Sequence, residues 1–187
     1  MANKLFMILL GCKPKGRHTE QHDIFFTIGK SIKDIIPHIE SFWKDGGTIH
    51  IDAWREVTEV DGNSISVIKK PVSENKENAK IFFLNLGGYK PDEFEEYHYK
   101  MLTVAEKKSD AIKLAKATAF YKHTGFKGAA SHIDDKYGID VDDIYEITDI
   151  LPSEIKAAFQ LKITPSKKAK KDEWHLGYLN LKKLSEK

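Results

Sequence analysis

Arginine is nearly absent from this chain. Arg17 and Arg55 are its two arginines, so lysine carries almost all of the basic charge, and the net charge at pH 7 is +2. Arginine is the usual residue for bidentate recognition of phosphate and guanine. Its scarcity, with a nearly balanced charge, argues against a nucleic-acid partner, and the lysine cluster at 167–171 is interpreted as a solvated loop.

Cysteine occurs once, as Cys12, which excludes an intrachain disulfide and is typical of a reducing compartment. No apolar run has the length that a membrane-spanning helix needs. The run Leu5–Leu10 is followed by Gly-Cys, as in a lipoprotein signal, but it is too short for one. A similar string recurs mid-chain at 81–88, where no signal operates. We therefore predict a buried strand, a cytoplasmic protein and no membrane partner.

A stretch of the N-terminal half recurs in the C-terminal half. The ungapped offset is 76: Leu5–Gly11 resembles Ile81–Gly87, and residues 5–36 share eight identities with residues 81–112. Unrelated sequences of ordinary composition would share about two. The agreement predicts that the chain contains two copies of one structural unit.

Two shorter matches follow at larger offsets. His50–Asp52 reads His-Ile-Asp, as does His132–Asp134 at an offset of 82. Glu59–Val60 resembles Glu146–Ile147 at an offset of 87. These matches extend the predicted repeat into the region that follows the helix of each copy.

Each copy is predicted to contain two strands, a helix and a further strand. The first two strands follow one another closely and favour an antiparallel hairpin. The fold class is therefore α+β: two repeated β-β-α-β units with mostly antiparallel sheet, packed about a pseudo-twofold axis, plus a C-terminal β-hairpin built from 159–163 and 174–181. The predicted domains are residues 1–72, a linker at 73–78 and residues 79–187.

Histidines and acidic residues recur together in the two copies. In a strand, residues two apart point to the same face. If the strands that carry them are neighbours, each copy gathers two imidazoles and two carboxylates, a set suited to a divalent metal or to acid–base catalysis. The alternatives are structural hydrogen bonding and binding of a polar ligand. The candidate residues are Glu20, His22, His50, Asp52, Glu96, His98, His132 and Asp134.

Several stretches resemble a bacterial family catalogued as domain of unknown function 1543. They are Lys4–Gly11, Glu20–Asp23, Ser31–Trp43 and His50–Trp54, and Trp174–Tyr178 resembles the family's C-terminal end. The resemblance implies one or two copies of the domain and a bacterial cytoplasmic setting. It implies no catalytic residue and no cofactor, because the family has no established activity.

The sequence favours a non-catalytic binding or interaction module. The alternative is a metal- or acid–base-dependent enzyme that uses the repeated Glu-x-His and His-Ile-Asp elements. No cofactor, substrate or macromolecular partner is specified by the residues, and self-association into a homo-oligomer is left open.

Overall fold

The computed structural model describes residues 2–71, 78–89, 92–117, 139–166 and 170–185. The chain is α+β with mostly antiparallel sheet, as predicted. It divides into two compact units: a first unit of Met1–Asn75 and Leu151–Lys187, and a second unit of Lys76–Ile150. Within the described ranges, no helix is both long enough and apolar enough to cross a membrane.

The elements of the described ranges are mostly strands, with a few short helices between them. In chain order they are β1 (Lys4–Cys12), β2 (Gln21–Gly29), α1 (Ile36–Phe42), β3 (His50–Val57), β4 (Glu59–Val60), β5 (Asn63–Lys69), β6 (Lys80–Tyr89), β7 (Glu96–Ala105), α2 (Lys108–Lys116), β8 (Ile139–Glu146), α3 (Ile147–Ile150), α4 (Ser153–Ala158), β9 (Phe159–Pro165), β10 (His175–Asn180) and α5 (Leu181–Ser185).

The first unit is built on a four-stranded antiparallel sheet in the order β10-β3-β1-β2. The apolar run of the sequence forms β1, which lies between two partners and is buried along most of its length. The predicted hairpin of β1 and β2 is present, with Leu5 opposite Ile28 and Gly11 opposite His22. Burial on both faces explains why β1 is apolar throughout instead of alternating.

Helix α1 covers one face of this sheet. The side chains of Ile35, just before the helix, and of Ile39 within it are fully buried and pack against β1. The sequence predicts a distorted first turn, or a start near Asp34, because Pro37 cannot lie inside a helix. The helix begins instead at Ile36, so that Pro37 falls in the first turn, where its missing N–H breaks no hydrogen bond.

A second, three-stranded sheet of the first unit has the order β4-β5-β9. The predicted Asp-Gly hairpin joins β4 to β5, with Asp61 at φ 51° and Gly62 at φ 75°. Positive φ at both central residues is the signature of a type I′ turn. Strand β9 then pairs with β5 along its whole length.

The predicted C-terminal hairpin is wrong, because its two strands join different sheets. Strand β9 pairs with β5, where apolar residues meet across the strands at Ile65–Ile163 and Val67–Leu161, and β10 pairs with β3. Such cross-strand apolar pairs stabilise the pairing of β9 with β5. Residues 151–187 consequently lie with the first unit, and not with the second as the predicted boundary of 79–187 placed them.

The second unit contains a three-stranded antiparallel sheet in the order β7-β6-β8. Helix α2 packs on it through Ala111 and Ala115, both fully buried. The sheet registers of the two units correspond: Phe6 lies opposite Glu56 in one and Phe82 opposite Glu146 in the other. The match at offset 87 is therefore wrong, since Glu146 occupies the register position of Glu56 and not that of Glu59.

An ion pair stands at equivalent register positions in each unit. Lys4 Nζ lies 2.5 Å from Glu56 Oε2, and Lys80 Nζ lies 2.7 Å from Glu146 Oε2. Burial alone would raise the pKa of Glu146, but hydrogen bonds from Lys80 and Thr148 outweigh it and hold the pKa below its ordinary value. The same hydrogen bond raises the pKa of Lys80.

Replacing Glu146 by glutamine is expected to lower the free energy of unfolding by about 0.5–1 kcal/mol at pH 7, the range of partly exposed pairs. Because the pKa of Glu146 is lower in the folded state, its stabilisation is complete above the unfolded pKa and is lost as pH falls through the folded pKa. Urea titrations of Glu146→Gln and the parent protein should converge in acid. The control is Glu154→Gln, on an exposed face of α4. A stability difference that is the same at all pH values would contradict the assignment.

Candidate metal centre

A glycine lies at the centre of the candidate site in the first unit. Gly11, near the end of β1, has His22 of β2 as its cross-strand neighbour on one side and His50 of β3 on the other. Residues directly opposite one another on adjacent strands point to the same face. The two imidazoles therefore flank a position that carries no side chain.

The space above Gly11 is occupied by the flanking side chains. A Cβ at this position would lie 2.6 Å from Asp52 Oδ2 and closer still to His50 Nε2. Real Cβ atoms essentially never approach a neighbour so closely. Glycine is therefore what allows the side chains of β2 and β3 to meet across β1.

Asp52 is placed by irregular pairing on both sides of β3. On the β1 side the register passes from Ala53 to Ile51, and on the β10 side the register also shifts between these two residues. Such bulges re-aim a side chain relative to a regular strand. The result is that His50 and Asp52 both reach the space above Gly11.

The four candidate residues of the first copy converge, and we call Glu20, His22, His50 and Asp52 the first site. His50 Nε2 lies 3.1 Å from Glu20 Oε1 and 3.3 Å from Asp52 Oδ1. His22 Nε2 lies 3.4 Å from Asp52 Oδ2 and 3.7 Å from Glu20 Oε2. Each carboxylate thus spans both imidazoles, using one oxygen for each.

The first site is closed on one side and open on the other. The His50 side chain is 7% exposed and that of Asp52 27%, whereas those of His22 and Glu20 are 45% and 46% exposed. Asp52 Oδ2 is buried and has no hydrogen-bond partner within the part of the chain that the structure describes. A buried carboxylate oxygen without a hydrogen bond is costly unless a cation or proton donor reaches it.

The side chains of the first site surround one space, but their atoms are not at the spacing of ligands already gathered around one ion. With metal–ligand bonds of about 2.0–2.2 Å, two ligand atoms lie about 3.0 Å apart in octahedral and about 3.4 Å apart in tetrahedral coordination. The four separations, 3.1–3.7 Å, run to different oxygens of each carboxylate, so the side chains would have to draw together around an ion. A single Nε2 hydrogen can point at one oxygen only, so the two imidazoles cannot satisfy all four carboxylate oxygens by hydrogen bonding.

Aromatic rings of β10 lie against rings of β3. The Tyr178 ring lies over the His50 imidazole with centroids 4.6 Å apart, and the His175 ring stacks on Trp54 at 3.9 Å. Tyr178 is nevertheless largely exposed. Neither Gly11 nor Tyr178 was singled out from the sequence as a site residue, because their proximity to His50 depends on strands that are distant along the chain.

The second unit brings together Glu96 and His98 with a residue that sequence reasoning missed. His98 Nε2 lies 3.3 Å from Asp142 Oδ2 and 3.8 Å from Glu96 Oε2. The predicted companions, His132 and Asp134, lie outside the described residues.

The companion is Asp142 because of where β8 lies in its sheet. Asp140 of β8 lies opposite Gly87, just as His50 of β3 lies opposite Gly11. Two residues further along each strand, Asp142 therefore holds the position of Asp52. The match of His-Ile-Asp at offset 82 therefore does not describe the strand that pairs with β6.

Cys12 does not contribute a reactive thiolate. Its side chain is fully buried at the end of β1. Burial, followed by the negative charges of Asp45 and Glu20, raises the pKa of the thiol above its ordinary value. The thiol is therefore protonated at neutral pH and is unsuited to act as a nucleophile or a metal ligand.

Residues 17–67 match the model of a family described as Domain of Unknown Function (DUF1543), which supports the resemblance seen in the sequence. The match includes all four residues of the first site. The fold is similar to that of protein Il1583 from Idiomarina loihiensis, known from a crystal structure, with a TM-score of 0.62 and 22% identity over 96% of this chain and 98% of that one. No curated protein matches the chain at a significant level.

Proposed function

We propose that the first unit is a binding module for a divalent metal ion. The ligands are the Nε2 atoms of His22 and His50 and the carboxylates of Glu20 and Asp52. The observation that carries this proposal is the closed ring of four contacts, 3.1–3.7 Å long, between two imidazoles and two carboxylates. A divalent cation would neutralise the charge of the two carboxylates.

The donor set favours a borderline transition metal. Imidazole nitrogen suits zinc, iron, nickel and copper, and carboxylate oxygen suits manganese and magnesium, so a mixed set of two each is typical of zinc, iron or manganese. The protonated, buried thiol of Cys12 leaves no sulfur ligand that would shift the preference to softer ions. His50 and Asp52, which are less exposed than His22 and Glu20, form the enclosed half of the centre.

The exposed side of the first site leaves room for the bound ion to hold a further ligand. Structural metal sites are enclosed by protein ligands, whereas sites that act on a ligand keep a position free for water or substrate. The exposure of His22 and Glu20 puts that position towards solvent. The module therefore binds a small polar or anionic ligand through the metal, with the exposed Tyr178 ring beside it.

The direct test is the metal content of untagged, purified protein, followed by competition titrations with zinc, manganese and iron. We expect one ion per first site, and His22→Ala or His50→Ala to weaken binding at least tenfold, because loss of even an outer partner costs about 10–100-fold. His18→Ala, an exposed histidine of the loop before β2, is the matched control. If none of the metals binds, or if both variants bind as the parent does, the proposal is overturned.

A metal-dependent enzyme is the second candidate, favoured by the solvent-facing side of the first site. A divalent ion lowers the pKa of its bound water and so supplies a nucleophile at neutral pH. Metal-loaded protein should then hydrolyse generic ester or phosphoester substrates, and His50→Ala should abolish the activity. Stoichiometric metal without turnover would support the non-catalytic module instead.

A further inference from the structure

We propose that the second unit holds a second divalent cation, in a site of its own with a preference for harder ions than the first site. Its ligands are Glu96, His98 and Asp142, which we call the second site. This inference does not depend on metal binding by the first site, because the residues belong to a different sheet.

The three side chains reach one point from two strands. Glu96 and His98 lie two residues apart on β7 and so share a face of the sheet. His98 Nε2 is 3.3 Å from Asp142 Oδ2 of β8 and 3.8 Å from Glu96 Oε2, and one ligand atom from each residue lies within 4.8 Å of the others. Their side chains are about one quarter to two fifths exposed, so an ion can enter from solvent.

The backbone beneath the second site has the same special features as that beneath the first. Gly87 lies opposite His98, and a Cβ on Gly87 would lie 2.8 Å from Asp142 Oδ1. The register between β6 and β8 shifts so that Asp142 is the extra residue, as Asp52 is in β3. In both sheets the glycine and the bulge thus bring an aspartate of β3 or β8 close to the histidine opposite the glycine.

The composition of the second site predicts its selectivity. The position opposite the central glycine, held by His50 in the first site, is held in the second unit by Asp140. Among the described residues, the second site offers one imidazole and two carboxylates. Carboxylate oxygens favour manganese, magnesium and calcium, whereas additional imidazole favours zinc. We infer that zinc prefers the first site and that manganese or another hard cation occupies the second.

The experiment is a manganese titration followed by electron paramagnetic resonance on the full chain, with zinc added beforehand to fill the first site. One equivalent of manganese should still bind. His98→Ala and Asp142→Asn should each weaken this binding at least tenfold, while Asp143→Asn, which removes the same charge from the next residue of β8, should leave it unchanged. Circular dichroism of each variant checks that the fold is retained.

The outcome separates the two sites. In the double variant His22→Ala/His50→Ala the manganese site should persist, and in His98→Ala the zinc site should persist. The second site is disproved if the double variant does not bind manganese. It is also disproved if further replacement of His98 and Asp142 leaves the manganese affinity of the double variant unchanged. Loss of zinc binding in His98→Ala would contradict the separation of the two sites, whereas absence of zinc binding in the parent would concern the first site alone.

Discussion

Replacing Gly11 by alanine is expected to weaken metal binding by the first site strongly while leaving the second site intact. The new Cβ would lie 2.6 Å from Asp52 Oδ2 and would also collide with His50. Strand β1 is paired on both sides, so its backbone cannot move away from the contact without breaking one of two ladders. The side chains must turn away instead, and the two most buried ligands are lost together.

The affinity should fall by about 100-fold or more, because two ligands are displaced and loss of a single supporting partner already costs about 10–100-fold. Isothermal titration with zinc measures the change. Gly87→Ala is the matched control, since it makes the same substitution beneath the second site and should impair manganese binding there instead. A Gly11→Ala protein that binds zinc as tightly as the parent would show that the side chains above Gly11 are not the ligands.

Replacing Phe6 by alanine is expected to give the largest loss of stability in the first unit. Phe6 is fully buried in β1, packs in the core with Ile35 and Ile39, and its ring centroid lies 6.1 Å from that of Trp54. Truncation of a buried phenylalanine costs about 3–5 kcal/mol, since the apolar contact is lost and a cavity remains.

Tryptophan fluorescence measures this loss selectively. The three tryptophans, Trp43, Trp54 and Trp174, all belong to the first unit, and the second has none. In a denaturant titration, Phe6→Ala should shift the fluorescence transition to lower denaturant. Phe82→Ala removes the equivalent buried ring of β6 and should shift it less. An unchanged transition in Phe6→Ala would contradict the placement of Phe6 in the core.

Local patterns made part of the fold predictable. The uninterrupted apolar run of β1, the following polar turn and the Asp61-Gly62 turn are each encoded within a few residues, and each appears in the structure. Glu20 with His22, and His50 with Asp52, were selected because residues two apart share a face. That spacing does not say how the two pairs meet: they do so across β1, not on neighbouring strands as the sequence analysis supposed.

Non-local pairing accounts for what the sequence analysis missed. The repeated tripeptide His-Ile-Asp led to the prediction of His132–Asp134 as site residues. The strand that pairs with β6 is β8, however, and a bulge in β8 determines that Asp142 reaches the second site. The residues next to Asp142 differ from those next to Asp52, so a comparison of the two sequences does not reveal that the positions correspond. The prediction of a C-terminal hairpin was wrong for the same reason. Strands β9 and β10 follow one another along the chain, but β9 pairs with β5 and β10 with β3.

The return of β9 and β10 to the first unit has a consequence for biosynthesis. A ribosome releases residues 76–150 as one continuous stretch, so the second unit can fold while the first still lacks two of its strands. Until β10 emerges, β3 presents an unpaired edge beside His50 and Asp52, and exposed edges attract other chains. Nascent chains stalled before residue 175 should therefore be the aggregation-prone species, and β3 should depend on a chaperone longest.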